Sequence, residues 1–371
     1  MKATMSLRAA VGSLMVVGVE SAELSAMEAA WLRVVRPTGI ILFRRNICDA
    51  AQTRELLCAA TALCADDDMR CVDLEGGTVD RLRDALAPMP AAQAVAQRKN
   101  AALAREHGTL VGRAVRAYGM NTTLAPVLDL QLPESREILG TRAAASDPKQ
   151  VTAYARAFLK GLKSERVTGC GKHFPGLGGG TLDSHKQMPA IERSFEQMMR
   201  EDMEPYRALG RLLPMAMVGH AAYPQTEGGA TPASQSQFWM ETVLRGRLRY
   251  RGLIFSDDME MGGVLHARPI EEAAVTALAA GMDVIEVCHS AELILRGFEA
   301  ILREAEQSQT FRGLVMRRAR RVAAWRRKQF GGGVSAAPAA EEIAALREAI
   351  LRFGARVSAL ESALESAQES A

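Results

Sequence analysis

Apolar strand-like runs alternate with helix-period segments over most of the chain, and nothing else in the sequence restricts the fold as much. The runs fall at 11–19, 38–44, 69–74, 120–129, 167–173, 215–221, 252–257 and 282–288. Helical patterns lie between them, among others at 22–35, 50–64, 148–164, 194–212, 236–248, 270–280 and 291–306. Each run is close to continuously hydrophobic, as parallel strands covered on both faces are. Eight such strands with intervening helices predict an α/β fold, a (β/α)8 barrel of the TIM type. A doubly wound sheet is the alternative, but no GxGxxG follows the first run.

The 371 residues divide into a barrel over 1–330, a linker over 331–338 and an amphipathic helix over 339–371. A content of 48% apolar and 24% charged residues excludes a disordered chain, and a net charge of +3 argues against a nucleic-acid coat. No apolar run reaches the roughly 18–20 residues of a membrane helix. Lys2 and Arg8 precede the apolar stretch 9–19, a loose likeness to a signal peptide. No A-x-A site follows it, and Val16-Val17-Gly18-Val19 reads as a buried first strand. Six cysteines without CxxC or metal-type spacing read as reduced thiols of a cytoplasmic protein.

In such a barrel the chemistry sits on the loops after the strands. Asp73, Asp129, Lys172-His173, His220 and Ser256-Asp257-Asp258 all fall at strand ends. A single Asp there is most often a helix cap, but five polar ends converging on one face define a site. A carboxylate at a strand tip can attack an electrophilic carbon or bind a metal. Neighbours on a strand point to opposite sides, so only one of Asp257 and Asp258 is expected to face the site. Beyond Gly178-Gly179-Gly180, Asp183-Ser184-His185 places a carboxylate where it can hold the ring's tautomer, which suits a general acid. Taken alone, that tripeptide is equally an ordinary polar turn.

Three stretches carry a resemblance: Val72-Asp73-Leu74-Glu75-Gly76-Gly77-Thr78-Val79-Asp80-Arg81, Lys172-His173-Phe174-Pro175-Gly176 and Ser256-Asp257-Asp258. With Leu124-Ala125-Pro126-Val127-Leu128-Asp129 they resemble glycoside hydrolase family 3, in particular its single-domain bacterial β-N-acetylhexosaminidases of peptidoglycan recycling. The resemblance implies that Asp257 is the nucleophile and that His185, partnered by Asp183, is the general acid/base. It places Asp73, Arg81, Arg142, Lys172 and His173 around an N-acetylglucosamine unit. It implies retaining double displacement without metal or organic cofactor, acting in the cytoplasm on GlcNAc-1,6-anhydro-MurNAc peptides. A phosphorylase or β-glucosidase on the same scaffold is the alternative, and an inactive sugar-binding scaffold is the alternative of another class. Leu177 stands where the family's KHFPGHG has a histidine, and Thr78 where EGGRV has an arginine; both bear on substrate fit.

Past Phe330, Gly331-Gly332-Gly333 and Ala336-Ala337-Pro338 read as the linker. Ile343, Leu346, Ile350, Phe353, Val357, Leu360, Leu364 and Ala367 then follow at alternating spacings of three and four. This heptad seam, with Glu342 set to face Arg347 and Arg356 to face Glu361, predicts a parallel homodimer through 343–367. The alternative is a helix packed on its own barrel. Residues 312–328 carry seven arginines and one lysine, but Leu314, Val322 and Trp325 at helical spacing mark the last barrel helix, not a nucleic-acid patch.

Overall fold

A computed structural model describes residues 5–180, 189–265, 267–333 and 335–369. The chain runs through β1 (Met15–Gly18), β2 (Gly39–Leu42) and β3 (Met69–Val72), then an antiparallel hairpin of β4 (Leu74–Gly76) and β5 (Val79–Asp80). It continues through β6 (Thr122–Thr123), β7 (Thr168–Phe174), β8 (Met215–Val218), β9 (Leu253–Asp258) and β10 (Val284–Val287). All but the hairpin form one closed parallel barrel, in which β1 pairs with β2 on one side and with β10 on the other. This is the (β/α)8 barrel that the alternation predicts, with the strand residues buried inside the helices.

Some expected elements change shape. The first two residues of the first run are helical: Ser6 caps the helix Leu7–Gly12 by accepting from the Ala9 N–H at 3.2 Å, and β1 starts only at Met15. The run 120–129 gives a ladder of two residues, Thr122 and Thr123, and Pro126, with no N–H to donate, does not extend it. The segment still follows β7, with the Cys170 N–H donating to Ala125 O at 2.8 Å and the Leu128 N–H to Lys172 O at 2.7 Å. That pairing delivers Asp129 to the end of β7. The pattern 194–212 splits into Phe195–Arg200 and Glu204–Leu209, with Pro205 in the first turn of the second helix. Residues Phe238–Arg247 wind as a π-helix.

The helix Gln309–Phe330 buries Phe311, Val315, Ala319 and Val322, as its apolar spacing requires. The final helix, Ala340–Glu369, takes the alternative arrangement, packed on its own barrel. Leu346, Ile350, Phe353 and Val357, the middle of the seam, are buried against the chain's own barrel. Phe353 stacks on His107 of the helix Ala101–Ala117 with centroids 5.7 Å apart, and Arg356 pairs with Glu106 of that helix. An apolar stripe at heptad spacing serves either purpose, and a barrel surface is available in the same chain. Among the described residues, no helix is long and apolar enough to cross a membrane.

Candidate active site

The ends of β3 and β7 meet in a buried charge cluster. Lys172 Nζ donates to Asp73 Oδ1 at 2.8 Å and lies 2.6 Å from Glu75 Oε1. Arg142 grips the same Glu75 with both arms of its fork, Nε to Oε2 and Nη2 to Oε1, each at 2.9 Å. Arg81 approaches Asp73 at 3.6 Å. Burial alone would raise the Glu75 carboxyl, but Arg142 and Lys172 overcome it and hold the group down at about 2. Burial works against the Lys172 ammonium too, and Asp73 and Glu75 outweigh it, so its pKa rises. Both cations are thereby fixed in place and charged, with N–H groups left over for a ligand. Gly76 makes the hairpin geometry: its φ is +93°, and a Cβ there would sit 2.1 Å from Pro90 O.

A second cluster forms where β7 faces β8 and β9. Asp129 is fully buried and accepts from the main-chain N–H groups of His173 (3.2 Å) and Leu177 (2.8 Å), and from His173 Nδ1 at 2.7 Å. A carboxylate only accepts, so the ring proton sits on Nδ1 and Nε2 is presented to the cavity, 4.0 Å from Asp257 Oδ2. Asp257 is partly exposed and takes the Asp258 N–H on Oδ1 at 2.9 Å. Burial pushes its carboxyl up, but His173, His220 and Lys172 more than reverse this, and the group stays below the ordinary carboxylate range. His220 donates from Nε2 to Asp258 O at 3.0 Å and accepts from Ser234 at Nδ1, 2.7 Å away. Burial depresses its pKa.

Asp73, Arg81, Arg142, Lys172, His173 and Asp257 all line one cavity of about 640 Å³ at the C-terminal mouth of the barrel. Asp183 and His185 lie outside the described residues. The expectation that only one of Asp257 and Asp258 faces the site is corrected, since both line this cavity. The β9–β10 register shifts between Val284 and Glu286, so strand alternation ends before Asp258, which lies 3.5 Å from His289 Nε2. Burial drives the Asp258 carboxyl up to about 7.

Glu75, Glu286 and His289 join the cavity or its charge cluster without having been expected from the sequence. Glu75 sits two residues after Asp73, inside the same motif. Glu286 is a lone carboxyl inside the apolar run of β10, which marks it out once the run is known to face the barrel interior. Leu177 lines the cavity, whereas Thr78 sits on the exposed hairpin tip. Among the described residues no group of His, Cys, Asp and Glu is arranged to hold a metal ion.

A family model described as the glycosyl hydrolase family 3 N-terminal domain matches residues 6–324. A beta-hexosaminidase of Pseudomonas aeruginosa is 39% identical over 294 residues, spanning 78% of this chain and 87% of that protein. A family 3 beta-N-acetylglucosaminidase from Paenibacillus sp. superimposes with a TM-score of 0.85 at 28% identity, covering 95% of this chain and 69% of that one. NagZ from Neisseria gonorrhoeae, solved in complex with N-trifluoroacetyl-D-glucosamine, gives a TM-score of 0.70 at 28% identity, covering 83% and 97%.

Proposed function

The chain belongs to glycosyl hydrolase family 3, and from that premise we propose that it is a retaining exo-β-N-acetylglucosaminidase of the cytoplasm. Its substrates are GlcNAc-1,6-anhydro-MurNAc peptides, from which it removes the terminal GlcNAc. The reading is supported above all by Asp257, a carboxylate held ionised at the end of β9 in a cavity that it shares with the cations Lys172, Arg142 and Arg81.

Asp257 attacks the anomeric carbon while protonated His185 gives its proton to the leaving oxygen, with Asp183 orienting the ring. The glycosyl ester on Asp257 is then cleaved by water, neutral His185 taking the water's proton. Lys172, Arg142 and Arg81 hold the sugar hydroxyls beside Asp73. Their pairing with Glu75 and Asp73 means that they need not reorganise when the substrate arrives. His173, oriented by Asp129, keeps Asp257 ionised and steers its free oxygen.

The test is hydrolysis of an aryl β-N-acetylglucosaminide by the wild type, Asp257→Ala and His185→Ala. Asp257→Ala should lose at least ~10³-fold in kcat. His185→Ala should slow the second step by roughly 10²–10⁴-fold, with a burst of the aryl alcohol, because an activated leaving group needs little acid. A wild type that is inert with and without phosphate contradicts the proposal.

A further inference from the structure

One group in the cavity has no task in this mechanism. Glu286 stands on β10, opposite Val16 of β1 and Asp258 of β9, and is only 2% exposed. Its main chain is fully engaged: the N–H donates to Ser256 Oγ at 2.9 Å, and the carbonyl accepts from the Met259 N–H at 2.9 Å. Its side chain lines the cavity, yet Oε1 has no hydrogen-bond partner among the described residues. The flanking Val284, Ile285 and Val287 are fully buried and apolar, as barrel strands require.

A buried carboxyl with an unmade hydrogen bond costs stability, and nothing in the packing repays it; Leu at this position would fill the interior without the cost. Such a group is retained where something else completes the bond. Burial and the nearby carboxylates Asp73, Asp258 and Asp257 keep the proton on Glu286, with Lys172 opposing them. The side chain is therefore both a donor and an acceptor, which matches an alcohol hydroxyl.

We propose that Glu286 is a sugar-binding residue, whose carboxyl hydrogen-bonds one ring hydroxyl of the sugar held between Asp73, Lys172 and Asp257, and which thereby selects among sugars. The inference rests on the glycosidase reading in taking the ligand to be a sugar. It is read by binding, which does not require turnover.

The test uses the full chain with Glu286→Gln and Glu286→Leu. Calorimetry gives Kd for N-acetyl-D-glucosamine and for its 3-, 4- and 6-deoxy derivatives, and aryl glycosides give KM and kcat. Glu286→Leu should weaken binding of the parent sugar about 10-fold, mainly through KM, while Glu286→Gln, a neutral donor and acceptor of the same shape, stays within about 3-fold. For one deoxy sugar, wild type and Glu286→Leu should bind alike, because the hydroxyl that Glu286 meets is gone. Glu286→Leu should also raise Tm. An unchanged Kd in Glu286→Leu, or an equal loss on every deoxy sugar, overturns the proposal. A wild type that binds these sugars with the predicted pattern but turns over no glycoside overturns the hydrolase reading and supports the binding role.

Discussion

Adjacent in the chain, Asp257 and Asp258 meet different surroundings, and their carboxyls move in opposite directions. Asp257 faces His173 Nε2 and has His220 and Lys172 among its neighbours; Asp258, similarly exposed, sits beside Glu260 and Asp257. In the unfolded chain Asp258 ionises near 3.8, but in the fold only near 7. Its penalty on folding therefore grows from about pH 3.8 upward and is complete above about pH 7. Asp258→Asn should be more stable than the wild type at pH 8 by roughly 2–4 kcal/mol, since each tenfold change in proton affinity is worth about 1.4 kcal/mol, and the gain should vanish near pH 4. Denaturant titrations at the two pH values check this. Glu75 has the opposite sign: held at about 2 against an ordinary 4.5, it adds stability above about pH 4.5 that is lost on the way to pH 2. Arg142→Leu leaves Glu75 with half its counter-charge, and should cost about 3–5 kcal/mol at pH 7 and progressively less below pH 4.5, measured in the same way. Asp73, Lys172, His173 and Asp257 were legible in the sequence because they terminate strand-like runs. Glu75 and Glu286 were not, because one is hidden behind Asp73 in its motif and the other looks like an interruption of a core strand.

At the scale of elements, hydrophobic periodicity located every barrel strand but not where each stops pairing. The run 120–129 carries the apolar stretch Leu124–Leu128, and Pro126 within it has no N–H to add to a ladder, a fact of hydrogen bonding that burial patterns do not carry. The C-terminal helix makes the same point. Heptad spacing fixes that one face is apolar; the barrel surface around His107 decides what covers it. His107 is buried and neutral, its pKa pulled down to about 3 by burial, with Tyr154 Oη 3.0 Å from Nδ1 and Phe353 on its face. Because the unfolded chain takes up that proton near pH 6.5, the stability held here falls as pH drops from 6.5 toward 3. Phe353→Ala should release the final helix, costing about 3–5 kcal/mol of local protection that hydrogen exchange over 340–360 reports. The wild type should sediment as a monomer at micromolar concentration, and a dimer abolished by Phe353→Glu would contradict the packing of this helix on its own barrel. We propose that 331–338 act as the linker between barrel and helix, so the released helix stays tethered without disturbing β1–β10.

At the scale of the whole molecule, closure of the barrel is what makes a site from residues as far apart as Asp73 and Glu286. β3, β7, β9 and β10 contribute polar side chains at or near their C-terminal ends, and no segment of the chain holds enough of them to act alone. The fold was legible because it follows from alternation, and the family because its motifs sit at those strand ends. The balance of charge inside the cavity was not, since it depends on which carboxylates find cations across the barrel. The hydrolytic mechanism proposed for this site turns on Asp257 acting as a nucleophile. The most direct test is to react the wild type with a fluorinated N-acetylglucosaminyl donor whose glycosyl-enzyme hydrolyses slowly, and to map the adduct by peptide fragmentation. One sugar on Asp257, none in Asp257→Asn, and release of the β-anomer from natural substrate are expected. An adduct on Asp258 or Glu286, or turnover with inversion at the anomeric carbon, would contradict that role.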